Sequence, residues 1–177
     1  MEIKTQIPGF TMRAATAEDS GLILSLIRDL AEYEKLAHEV IATEVILKET
    51  LFGDRPYGEV IIGDFHGEPV SFALFFHNFS TFLGRPGIYL EDLYVHSAMR
   101  GKGIGKTMLS YLAKLAQERN CGRLEWGVLD WNEPALQFYR SIKAKPMDEW
   151  TTQRLEGEAL DTLADEFAAL NADNNHQ

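Results

Sequence analysis

The chain contains one cysteine, Cys121, so it cannot form an internal disulfide, and this suits a reducing compartment. No stretch approaches the roughly 20 consecutive apolar residues that cross a bilayer, and residues 1–11 lack the apolar segment of a leader. These absences predict a cytoplasmic protein with no membrane partner. Positive charge is also scarce: 17 Lys and Arg stand against 27 Asp and Glu, a net charge of −10. Such a field repels phosphate backbones, argues against nucleic acid as a partner and draws in small cations. The five histidines form no i, i+4 pair and no cluster with cysteine, so no metal site is expected. There is no repeat and no Pro/Gly/Ser-rich linker.

What remains is ordinary globular composition, with 45% hydrophobic and 25% charged residues in 177. That length predicts a single domain over 1–177. Thr16-Ala17-Glu18-Asp19 has the form of a capping box, and Leu22, Ile23, Leu26, Ile27 and Leu30 follow at helical spacing to about Lys35. A second helix starts after Thr43 and stops before Gly53. Residues 59–65 and 70–77 read as a β-hairpin, and 88–95 as another strand. A helix over about 104–119 follows, then a strand over 123–129. A helix opens at Asn132 or Glu133 with Pro134 in its first turn, and a last strand is expected over 150–155. An acidic helix over 158–170 and a frayed tail over 171–177 complete the chain.

The most informative segment is Arg100-Gly101-Lys102-Gly103-Ile104-Gly105-Lys106-Thr107, a glycine-rich passage from a strand into a helix. Backbone amides turned inward there, at the positive end of a helix dipole, suit a phosphate or diphosphate. A P-loop would need glycine at position 100, which is Arg100. A dinucleotide fingerprint would need glycine at 106 or 108, which are Lys106 and Met108. Arg-x-x-Gly-x-Gly remains, and it resembles the acetyl-CoA diphosphate loop of the GNAT acyltransferase superfamily.

The resemblance covers roughly residues 11–155. It extends through Leu90-Glu91-Asp92-Leu93-Tyr94-Val95, Trp131-Asn132-Glu133-Pro134 and Phe138-Tyr139, and is nearest to the spermidine/spermine and thialysine N-acetyltransferases. It implies an α/β fold, also describable as α+β, with a GNAT-like mixed, central twisted sheet flanked by helices, and a homodimer. It implies acetyl-CoA as cosubstrate, held by Leu93, Tyr94, Val95, Arg100, Gly101, Lys102, Gly103, Ile104, Gly105, Lys106, Asn132, Pro134 and Tyr139. The expected reaction is direct acetyl transfer to the primary amine of a small cationic metabolite. A polyamine or diamine comes first, and thialysine or a related amino-acid side-chain amine is the alternative.

Such an amine, with a pKa of about 10.4, must lose a proton before it can attack. The family comparison favours Glu91 as the acceptor of that proton, directly or through water, and Tyr139 as donor to the leaving thiolate. Adjacent residues of a regular strand point to opposite faces, so Asp92 is expected to be structural unless a bulge intervenes. Tyr33, Glu34, Glu91, Glu125, Trp126, Asp148 and Glu149 are the candidate acceptor contacts. Two departures from the family pattern stand out: Lys143 occupies a position where a glycine usually ends the helix, and Glu125 and Gly127 replace expected apolar residues. A noncatalytic CoA-binding module and a P-loop nucleotide enzyme are the rival readings.

Overall fold

The structure, a computed structural model, describes residues 1–174, with side chains through Leu170. Of the tail expected to fray over 171–177, residues 171–174 instead continue the last helix, and 175–177 lie outside the described residues. The backbone separates into two compact units, 1–132 and 133–177.

The first unit is built on one six-stranded sheet in the order β1 to β6: Glu2–Lys4, Phe10–Ala14, Glu59–Phe65, Glu68–Ser80, Arg85–Val95 and Leu124–Trp126. Neighbours are antiparallel except β5 and β6, which run parallel. A parallel pair needs a crossover, and α3 (Ile104–Glu118) supplies it. The hairpin of β3 and β4 matches the sequence reading, though β4 runs longer. Three sequence-predicted helices form with their limits moved by a residue or two: α1 spans Ser20–Tyr33, α2 Glu44–Phe52, and α3 starts at Ile104.

The helix starts follow from capping. The Thr16 amide donates to Asp19 Oδ2 at 2.8 Å, one turn ahead of α1, and Thr43 Oγ1 accepts from the Ile46 amide at 3.2 Å to open α2. Arg13 fixes the same corner by donating to both Asp19 oxygens and, through Nε, to Asp64. That contact holds the Asp19 carboxyl below the usual carboxylate range.

One face of the sheet buries Val60, Ile62, Phe72 and Tyr94 against Ile23, Leu24 and Leu26 of α1 and Leu47 and Leu51 of α2. Strand alternation sends Ile61, Ala73, Phe75 and Leu90 to the opposite face, where α3 packs along β5 and β6. Both faces are therefore apolar in the middle strands, and β5 carries Glu91 and Asp92 where it runs on beyond its pairing with β6.

The second unit contains α4 (Glu133–Ser141) and α5 (Gly157–Asn174). Two strand expectations fail here and at β6. Residues 150–155 form no strand, and Trp150 and Leu155 are exposed; β6 is confined to Leu124–Trp126 rather than running to 129. Glycine at 127, turn residues at 130–132 and the absence of a facing partner for 150–155 outweigh the local β preference of these segments.

Candidate active site

The glycine segment reaches α3 through two left-handed residues, Gly101 at φ 79° and Gly103 at φ 82°, the latter capping the helix. A Cβ on Gly101 would meet nothing within 4 Å, so the residue is glycine for its backbone conformation and not for space. Among the described residues, the amides of 101–106 donate to no protein acceptor, and the first helical bond is from Thr107 N–H to Gly103 C=O. These N–H groups, the N-terminus of α3 and the exposed Arg100, Lys102 and Lys106 form a cradle that fits an anionic diphosphate. Arg100 is braced from behind: its guanidinium lies 4.3 Å from the Tyr33 ring centre, and Nε donates to Val95 C=O at 3.4 Å.

β6 pairs with β5 only at Ile88, Tyr89 and Leu90. From Glu91 to Val95, the edge of β5 on that side is unpaired by β6, so Leu93, Tyr94 and Val95 offer backbone groups next to the cradle. The register with β4 slips at the same point: Leu74 faces Asp92 and Phe75 faces Leu90, which leaves Glu91 as the extra residue of a bulge. Tyr89 lies opposite Phe76 on the α1/α2 face and Leu90 on the α3 face, while Asp92 is back on the α1/α2 face opposite Leu74. The bulge therefore brings both Glu91 and Asp92 to one side. The alternation that would send adjacent residues to opposite faces is thus broken here by the bulge that the sequence reading allowed for.

Their environments differ. Glu91 is exposed, whereas Asp92 is largely enclosed, and its carboxyl is pushed up to about 6 by burial and by the negative charges of Glu91 and Glu34. Glu34 caps the end of α1, and its own carboxyl is raised by burial. Beside it, Tyr33 O–H donates to Asn132 Oδ1 at 3.3 Å, and the Tyr33 ring lies 6.4 Å from that of Trp131. Tyr33 and Asn132, assigned by resemblance to acceptor and cofactor respectively, thus meet. Further along the same face, Glu125 Oε1 accepts from Asn78 Nδ2 at 3.1 Å and pairs with Arg123 Nε at 2.9 Å. Trp126 is half-buried opposite Leu90.

In the second unit, α4 carries Pro134 in its exposed first turn and Tyr139, half-buried, beside Phe138. The helix ends as a glycine-capped one does, with Lys143 at φ 64° and the Ala144 amide donating to Tyr139 C=O. Asp148 and Glu149 are exposed in the segment between α4 and α5.

The Acetyltransferase (GNAT) family profile matches residues 24–142, a span holding the cradle, the bulge and Tyr139. The chain belongs to the GNAT acetyltransferase family. It is 39% identical over 164 residues to the thialysine N-epsilon-acetyltransferase of Bos taurus, covering 86% of this chain and 96% of that protein. It is 31% identical to the L-ornithine N5-acetyltransferase of Arabidopsis thaliana, with 86% of each covered. It is 30% identical to a human spermidine/spermine N(1)-acetyltransferase-like protein, across 91% of this chain and 24% of that one. Among solved structures, an integron cassette protein from V. cholerae superposes with a TM-score of 0.75 at 28% identity, covering 88% and 98% of the two chains.

This GNAT enzyme, an acyltransferase whose family uses acetyl-CoA, has site-facing residues that sequence reasoning missed: Arg123, Asn78, Tyr89 and Gly87. Arg123 was the most accessible to inference, since it lies two positions before Glu125 and so shares its face of a strand. Asn78 and Gly87 give no sequence signal. Among the described residues there is no group of three or more His, Cys, Asp and Glu placed to hold a metal, and no helix long and apolar enough to cross a membrane.

Proposed function

We propose that the protein acetylates the terminal side-chain amine of a small lysine-like amino acid, with acetyl-CoA as donor. The observation that carries this reading is the bulge at Glu91, which gives one face two carboxylates beside an open strand edge and an anion cradle. The thialysine and ornithine relatives support a side-chain amine more than a polyamine. The polyamine reading remains second, supported by the acidic side chains at 34, 91, 92 and 125 and by the spermidine/spermine-like relative.

Acetyl-CoA, when bound, supplies the acetyl thioester. The amides of 101–106 with Arg100, Lys102 and Lys106 would hold its diphosphate, and the backbone of Leu93, Tyr94 and Val95 would pair with its pantetheine arm; Asn132 and Pro134 are assigned to the cofactor by resemblance. Glu91 receives the substrate ammonium together with Tyr33 and Glu34; Trp126, also expected on the acceptor side, pairs instead with Leu90, whose side chain belongs to the α3 face. Asp92, whose carboxyl at about 6 lies nearer neutral pH than an ordinary carboxylate, is better matched than Glu91 to remove the proton, with Glu91 or a water as relay. Tyr139 is assigned by resemblance, and its O–H would protonate the CoA thiolate that acetyl transfer releases. Asp148 and Glu149, from the second unit, are assigned to the acceptor side by resemblance. The same reading makes residues 1–177 one catalytic domain and the enzyme a cytoplasmic homodimer, on the strength of the family pattern and the single cysteine.

CoA thiol release with thialysine, ornithine, spermidine and putrescine, at fixed acetyl-CoA, tests this. Thialysine or ornithine should turn over fastest. A preference for spermidine would restore the polyamine reading, and binding of CoA without turnover of any amine would make the chain a noncatalytic module.

A further inference from the structure

Arg123, Glu125 and Asn78 form a polar group at the end of the acidic face, one strand away from Glu91. Gly87 makes room for it. A Cβ at Gly87 would lie 2.4 Å from Asn78 Oδ1, 3.2 Å from the Arg123 carbonyl oxygen and 3.4 Å from Arg123 Cγ, so glycine there leaves Asn78 in the place from which it reaches Glu125. Asn78 donates to Glu125 Oε1 even though its own Oδ1 is then buried without a hydrogen-bond partner. Leaving a buried acceptor unpaired is unfavourable, and the arrangement holds Glu125 in place despite that cost.

The shortest approach of Arg123 to Glu125 is Nε to Oε1 at 2.9 Å, the same oxygen that accepts from Asn78. Both side chains remain open to solvent, Arg123 45% and Glu125 32% exposed. One edge of this pair donates in the planar fork that matches a carboxylate, and the other accepts as an ammonium requires.

Its separation from Glu91 has a matching length. Glu125 lies directly across from Tyr89, and Glu91 is the next residue of β5 on that face. Two residues along a strand and one strand across give a diagonal of about 8 Å between backbone positions. A lysine-like side chain spans about 6 Å from Cα to its terminal nitrogen, and two glutamate side chains can lean over the remainder. Tyr89, on the same face, is close enough to both glutamates that burial and then the negative charges of Glu91 and Glu125 raise its phenol.

The geometry points to Arg123 and Glu125 as the reader of an α-amino-acid head group, Arg123 binding the α-carboxylate and Glu125 the α-ammonium, while the side-chain amine lies at Glu91 and Asp92. This rests on the acetyl-transfer reading above and specifies its acceptor as a zwitterion. A polyamine would bring a second cation to Arg123 and be repelled there.

The test compares thialysine with bis(2-aminoethyl) sulfide, which has the same sulfide and terminal amine but no carboxylate, for the wild-type enzyme, Arg123→Gln and Arg123→Lys. Wild type should favour thialysine. Arg123→Gln should lower kcat/KM for thialysine about ten- to hundredfold more than for the diamine, mainly through KM, because a charge-assisted pair is lost. Arg123→Lys, which retains charge without the fork, should fall between. Comparing two acceptors on the same variant separates recognition from damage to the fold. Equal kcat/KM for both compounds on wild type, or equal losses for both on Arg123→Gln, would overturn the head-group assignment and leave acetyl transfer standing. If neither compound released CoA from wild type, the transfer reading would fail and this inference with it.

Discussion

The cradle at 100–106 and the acidic face of β5 and β6 lie at two ends of one strand edge, yet they are made from different material. The cradle is backbone: amides oriented by left-handed Gly101 and Gly103, with basic side chains around them. The acidic face is side chain: Glu91, Asp92, Glu34 and Glu125 come from β5, the end of α1 and β6, and converge only because of pairing register and a bulge. A backbone site tolerates side-chain exchange but not a change of φ. A side-chain site tolerates neither a lost carboxylate nor a slipped register.

The contrast is broken most severely at Asp92. Asp92→Asn should reduce kcat about 100-fold or more, since a positioned base contributes on that order, while CoA affinity measured by calorimetry stays as in wild type. A kcat within threefold of wild type would remove Asp92 from proton transfer. At the other end, Gly103→Val forces a β-branched residue into the left-handed region, at a cost of roughly 1–2 kcal/mol or more. CoA binding should weaken about tenfold, with the acceptor KM little changed; a matching rise in acceptor KM would show that the two ends do not work separately.

A subtler probe is pH. Activity in kcat/KM should fall as pH drops through about 6, where Asp92 takes up a proton, and Glu34→Gln should move that midpoint to lower pH by removing a neighbouring negative charge. The stability linkage has the opposite sense. Because the folded-state value is raised, the native chain binds this proton more tightly than the unfolded chain between the ordinary carboxylate range and about 6. Stability contributed by this group therefore declines as pH rises through that window, and Asp92→Asn should flatten the decline in urea titrations.

The smallest effect is expected at Lys143, where the backbone has the left-handed cap but the sequence has no glycine. Lys143→Gly should stabilise the chain by about 1 kcal/mol, seen as a higher denaturation midpoint. No gain would mean that the side chain earns its place by contacts of its own.

Much of this was legible in the chain alone. Thr16 and Thr43 announced helix starts and the glycines announced the cradle, whereas the left-handed backbone at Lys143, a departure from the family's glycine, was visible only in the structure. The final strand was not legible, because the β preference of 150–155 is local and a strand forms only where an edge receives it. Nor was the partnership of Glu91 with Asp92, since alternation forbids it and only a one-residue excess over β4 permits it.

By itself, then, the sequence determined which family this chain belongs to and where a diphosphate could be held, because left-handed turns and helix starts are dictated by the residues that occupy them. Tertiary structure alone decided which carboxylates share a face, that Asp92 is enclosed enough to have its carboxyl raised to about 6, and that Asn78 and Arg123 meet at Glu125. Those outcomes depend on register, burial and the approach of distant strands, and electrostatic and packing forces act between neighbours in space, whatever their separation along the chain.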